Sequence, residues 1–127
     1  MSGCLGRFTD DDESKAIEFC TARILNEDTE PHTATVVVTD EEVGETVYER
    51  AHSLDARDGQ ALDSVLVEAD DLARDTGALR LSVSVDEGKD GAMDLWHANA
   101  DPVRVTAHIV SETESVGFWS AIEDSPC

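Results

Sequence analysis

Four histidines, three cysteines and a large excess of carboxylates are the groups in this chain able to do chemistry. His32, His52, His97 and His108 show neither an HxH nor an HExxH spacing, so a zinc site would have to be assembled by the fold. Ordinary surface or hydrogen-bonded histidines are the simpler reading. Two acidic clusters, Asp10-Asp11-Asp12-Glu13 and Asp86-Glu87-Gly88-Lys89-Asp90-Gly91, offer oxygen ligands to a hard cation. The second lacks the bidentate Glu that closes an EF-hand loop, and neither is an EF-hand. The serines lack a nucleophile elbow, and there is no Gly-rich phosphate loop. Scattered carboxylates can pair across a cleft as glycosidase acids do, but only a fold can bring them together. Trp96 and Trp119 suit a glycan platform or a core; aromatics are 5% of the chain, so the core needs their bulk. The sequence therefore assigns no catalytic residue, no metal ligand and no cofactor, and the chain is expected not to be an enzyme.

The elements that would position these groups are bounded by composition. A chain of 127 residues fits one domain able to close its own core. There are 29 acidic and 9 basic residues, a formal charge of −20, and the only lysines are Lys15 and Lys89. A disordered acidic tail would concentrate its charge, whereas here acids sit between regular apolar positions. Mimicry of nucleic acid is the weaker alternative. Adaptation to molar salt fits best, because the Debye length falls to about 3 Å at 1 M and carboxylates keep the surface hydrated. Nucleic-acid binding is excluded as an expectation, since no basic stripe is present to displace counterions from phosphates.

From Ala16 onward the apolar period is mostly 2, which predicts strands with one buried face. Cys20, Ala22 and Ile24 alternate up to the polar turn 26–31, and Ala34, Val36 and Val38 follow. A helix over Ser14–Asn26 is the alternative there, since Ser14 is a possible cap. The run 46–50 is the third strand, Ala61–Val67 reads extended, and 69–75 reads as one helical turn or a loop. Leu79, Leu81, Val83 and Val85 give the cleanest alternation; 92–98, then Val103–Ile109, then a run from Gly117 complete the set. Seven or eight short strands with regular turn signals predict an all-β, antiparallel two-sheet sandwich over residues 15–127.

Met1-Ser2-Gly3-Cys4-Leu5-Gly6 looks like the cleavage box of a bacterial or archaeal lipoprotein. Small residues let a peptidase close around the backbone there, and the thiol of Cys4 receives the lipid. The acidic run that follows makes residues 1–14 a solvated tether, and places the domain outside the cell, held to the membrane through Cys4. If Met1 is an ordinary start, the chain is instead an intracellular halophilic domain. In an extracytoplasmic chain the remaining cysteines, Cys20 and Cys127, suggest one disulfide. Closing a loop of about 100 residues would contribute up to about 4.7 kcal/mol. The competing reading has Cys20 as a small buried hydrophobe and Cys127 as a free thiol.

The stretch Ile24-Leu25-Asn26-Glu27-Asp28-Thr29-Glu30-Pro31-His32-Thr33, followed by Gly44-Glu45-Thr46-Val47-Tyr48-Glu49, resembles the immunoglobulin-like modules of haloarchaeal surface lipoproteins. The similarity covers most of residues 16–110 and consists of fold markers. It implies an immunoglobulin-like sandwich at the surface of a halophilic archaeon, and carries over no catalytic residue. The implied job is binding or structural, toward an envelope protein or a glycan. The alternative is a lipoprotein that binds a small ligand or a cation. Blue-copper carriers of similar size place Cys, His and Met together on a C-terminal loop. Here Cys127 ends the chain and Met93 precedes His97 and His108, so copper is not expected.

Overall fold

Period-2 alternation makes every strand of this chain a one-sided object, and two such sheets bury their apolar sides on each other. The computed structural model describes residues 16–86, 88, 90–97, 102–110 and 116–121, with the backbone alone at 97 and 119–121. The strands are β1 (Ile17–Asn26), β2 (His32–Asp40), β3 (Glu45–Leu54), β4 (Asp63–Glu68), β5 (Thr76–Gly77), β6 (Leu79–Val85), β7 (Asp90–Asp94), β8 (Val103–Ile109) and β9 (Gly117–Ala121). Two single-turn 3-10 helices, η1 (Ala69–Asp71) and η2 (Leu95–His97), follow β4 and β7. The first sheet has the order β4-β1-β8-β9, with β5 paired to the start of β1; the second has the order β3-β2-β6-β7.

The core lies between the sheets. Phe19, Ala22 and Ile24 of β1 and Val103, Val105 and Ala107 of β8 face Ala34, Val36 and Val38 of β2. Leu79, Leu81, Val83 and Val85 of β6 are all buried on the same side, as their alternation predicts. Each fully buried aliphatic side chain of this kind contributes about 1.5–3 kcal/mol relative to exposure. Segment 72–75 closes one side of the sandwich. There Ala73 N donates to Val47 O at 2.9 Å on β3, and Phe19 N on β1 donates to Asp75 O at 2.7 Å.

The chain is the all-β, largely antiparallel two-sheet sandwich that its alternation predicts, with differences of detail. The sandwich is not purely antiparallel: β1 and β8, neighbours in the first sheet, run parallel, with Ala22 opposite Val105 and Ile24 opposite Ala107. Alternation fixes which face a side chain takes but is blind to strand direction, so nothing in the pattern could separate the two. There are also nine strands among the described residues, the extra one being the two-residue β5. Of residues 92–98, expected to be extended, 92–94 end β7 and 95–97 form the turn of η2, and Ala98 lies outside the described residues. The helical alternative over Ser14–Asn26 gives way to β1 from Ile17 to Asn26, with Ser14 and Lys15 outside the described residues, and the uncertain stretch 69–75 contains the single turn η1.

Two glycines are set by close approach, and at Gly91 a Cβ would sit 2.7 Å from the backbone Val116 O. Gly77 has φ +150, and a Cβ there would sit 2.7 Å from Asp40 Oδ2. Any side chain would push on a carboxylate that caps the end of β2.

Candidate functional site

The densest polar cluster stands where β1 turns into β2. Asn26, wholly buried at the end of β1, donates through Nδ2 to Glu30 O at 3.0 Å and to Asp55 O at 2.9 Å. Its Oδ1 accepts from Asp28 N at 3.0 Å, so one side chain stands in for a backbone turn and ties it to the loop after β3. Asp28 then accepts from Thr29 N through Oδ1 at 2.6 Å, and its carbonyl accepts from Arg57 N at 2.8 Å. Its Oδ2 lies 2.7 Å from Nε2 of His32, the first residue of β2. On the other side of the ring, His32 Nδ1 lies 3.0 Å from Asp86 Oδ1, just past β6, whose Oδ2 accepts from Thr33 N at 3.0 Å.

A carboxylate on each ring nitrogen requires both nitrogens to donate, which is the imidazolium form. The His32 side chain is 0% exposed, Asp28 is 7% and Asp86 is 44%. Burial, the largest single influence, lowers the His32 pKa, but hydrogen bonds and charge from Asp28 and Asp86 together leave it raised above 6.5. The hydrogen bonds from His32 and from Thr33 N hold Asp86 below its ordinary 3.8. Chemically the cluster is spent. A general base needs a free ring nitrogen within reach of substrate, and both nitrogens of His32 are engaged inside the protein. A shallow hollow of about 250 Å³, lined by Pro31, Thr33, Ser53, Leu54 and Asp55, opens beside the ring.

The other histidines are dispersed. His52 Nε2 lies 2.9 Å from Tyr48 OH, with the rings stacked at 6.4 Å between centroids. Burial first, and then Arg50, lowers the His52 pKa; burial raises that of Tyr48. His108 Nδ1 pairs with Glu27 Oε2, and His97 lies in η2. Among the described residues no group of three His, Cys, Asp or Glu side chains is placed to hold a metal ion. In the turn cluster 86–91, Asp86 is committed to His32 and Asp90 opens β7 opposite Ser84.

Cys20 is buried at 3% and occupies a β-bulge, the irregularity between Phe19 and Thr21 in the pairing with β8. Beside it is an open hollow of about 330 Å³ lined by Glu18, Glu68, Asp70 and Asp75. Cys4, the acidic run 10–13 and Cys127 lie outside the described residues. Trp96 packs against the core, as the scarcity of aromatics suggests, and Trp119 takes a register position opposite Thr106. No helix among the described residues is long and apolar enough to cross a membrane.

At the opposite end of the sandwich Arg74 Nη2 reaches Asp40 Oδ2 at 3.1 Å and Glu45 Oε1 at 2.9 Å. Asp40 Oδ1 accepts from Glu42 N at 3.0 Å, fixing the turn into β3.

No protein-family model matches the chain, and no characterised protein is found to be related to it.

Proposed function

We propose that this chain is a non-enzymatic envelope module of a halophilic archaeon, an immunoglobulin-like sandwich held outside the membrane by a lipid on Cys4. Its work is to bind another component of the envelope. The observation that carries the reading is the fate of the inward-turning charges. Among the described residues Asp28 and Asp40 are the acidic side chains that enter the interior, and each is matched by a cation, His32 or Arg74. Most other described carboxylates stay at the surface, where molar salt screens their repulsion. Polar groups used in this way brace the loops, and both ring nitrogens of His32 are engaged inside the protein. The lipoprotein-like Gly3-Cys4-Leu5 box and the resemblance of residues 16–110 to haloarchaeal surface modules support the placement. A bridge between Cys20 and Cys127 belongs to the same proposal, because an oxidising compartment leaves paired thiols closed.

The intact mass of the native protein, with thiol labelling under denaturing, non-reducing conditions, tests both parts. The expected result is a lipid increment at Cys4 and no reactive thiol. An unmodified N-terminal segment with three reactive cysteines overturns the placement and supports an intracellular domain.

A further inference from the structure

We propose that the His32 end of the sandwich is a proton-operated latch: loss of one proton from the ring frees Asp86 and the turn into β7, and leaves the β1–β2 turn fastened.

A neutral imidazole carries one N–H, so it can donate to only one of the two carboxylates that the ring joins. Which one it keeps follows from where the other would be left. The Asp28 carboxylate is 7% exposed and lies 2.7 Å from Nε2, whereas Asp86 is 44% exposed and lies 3.0 Å from Nδ1. Taking a donor from a buried carboxylate costs far more than taking one that water replaces. The remaining proton therefore stays on Nε2, against Asp28. Asp28 is also the partner that cannot follow a moving ring. Its N–H donates to Asn26 Oδ1, its Oδ1 accepts from Thr29 N, and its carbonyl accepts from Arg57 N.

On the other side of the ring two acceptors then face each other, Nδ1 and Asp86 Oδ1, and one of them must withdraw. The His32 side chain is wholly buried at the start of β2, so Asp86 is the group that moves. Its departure undoes half a rung of the β2–β6 ladder. Asp86 N donates to Thr33 O at 3.1 Å, but Thr33 N donates to the Asp86 carboxylate at 3.0 Å. The backbone half of the rung survives loss of the proton, and the side-chain half does not. The charges that act on the ring are Asp28 from the β1–β2 turn and Asp86 from the end of β6. Asp55, on the loop after β3, lines the hollow beside it, and Leu54, opposite His32 on β3, is apolar. Burial lowers the His32 pKa, but hydrogen bonds and charge from the two carboxylates leave it raised above 6.5, so the latch opens as pH rises past that value. Asp86 and His32 both line the hollow, so once Asp86 withdraws the ring presents Nδ1 to it as an acceptor.

The test follows the isotopically labelled full chain from pH 5 to 10, by NMR of the imidazole nitrogens and by amide hydrogen exchange. The expected result is that the His32 Nδ1 resonance moves to the position of an unprotonated nitrogen while Nε2 stays at that of a protonated one. Over the same interval the protection of the Thr33 amide, corrected for the intrinsic rise of exchange with pH, falls at least about fivefold, and the Asp28 amide keeps its own. Asp86→Asn separates the latch from a merely structural contact. Its amide donates to a neutral Nδ1 while its oxygen accepts from Thr33 N, so Thr33 stays protected at high pH. The latch is refuted if Nε2 is the nitrogen that loses its proton, if Asp28 loosens in place of Thr33, or if the ring titrates with no change at Thr33. A ring that keeps both protons up to pH 10 refutes it too, as does a Thr33 amide in Asp86→Asn that loosens with pH as in the wild type. The tautomer and the contrast between Asp28 and Thr33 are read on the wild type, so they decide the matter even where the variant fails to fold.

Discussion

At one end of the sandwich the buried charge is a cation, His32, held by Asp28 from the β1–β2 turn and Asp86 from the end of β6. At the other end it is an anion, Asp40, held by Arg74, whose side chain is 43% exposed. Both clusters fasten loops to strand ends, but they answer differently to their surroundings. The His32 ring can lose its charge near neutral pH, and it has no water to fall back on. Arg74 keeps its charge at any ordinary pH and is already half in solvent. Sensitivity to protons and to substitution is therefore concentrated at the His32 end.

The largest effect that tests this contrast is His32→Leu. It leaves the Asp28 carboxylate buried beside an apolar group, and breaking a buried pair from one side costs about 3–5 kcal/mol. Urea unfolding of the variant at pH 6 measures it. A loss under about 1 kcal/mol would mean that Asp28 finds water or a proton cheaply, and the contrast between the two ends would collapse.

A smaller effect follows from pH. The His32 pKa is raised on folding, so its contribution is complete below the unfolded value near 6.5 and is lost as pH rises through the folded value above it. Asp86 is depressed, so its contribution is present above 3.8 and is lost as pH falls through a lower folded value. Asp86 is 44% exposed, and solvent weakens its share. The groups that face His32 are the carboxylates of Asp28 and Asp86, with Asp55 lining the hollow beside it. His52 works in the opposite sense: its lowered pKa makes folding less favourable as pH falls below 6.5. The two histidines oppose each other in the wild type. In His52→Phe the decline above pH 6.5 stands alone, and denaturant midpoints from pH 5 to 9 should fall on the alkaline side. A flat profile in that variant would mean the ring is not an imidazolium in the folded protein.

Much of the fold is legible in the sequence, and the reason is physical. Leu79, Leu81, Val83 and Val85 have one possible inward side once the segment is extended, and the turn at 26–31 announces itself by Asn, Asp and Pro. Strand direction is not legible, which is why the parallel β1–β8 pair escapes. Half of the His32 cluster has a local signal: Asn26, Asp28 and His32 sit at even spacings around a single turn. Asp86 is 54 residues away along the chain and is delivered by the pairing of β6 with β2.

The smallest effect sharpens the contrast from its other side. Arg74→Ala removes the cation from Asp40 and Glu45, yet the expected loss is about 1 kcal/mol or less. The guanidinium is 43% exposed, so the pair forms in a medium where charges attract weakly. When it is removed, Asp40 Oδ1 keeps the Glu42 N–H at 3.0 Å, and water takes the place vacated beside Oδ2. Lengthening or shortening the cation without removing it should matter less still, so Arg74→Lys should fall near the wild type in urea midpoint. The Asp28 and Asp40 side chains are equally secluded, each 7% exposed, so a loss in Arg74→Ala as large as that in His32→Leu would show that the burial of the carboxylate, and not the exposure of its partner, sets the cost. The two ends would then differ only in the sign of the charge they bury, and no longer in how tightly the protein depends on its partner.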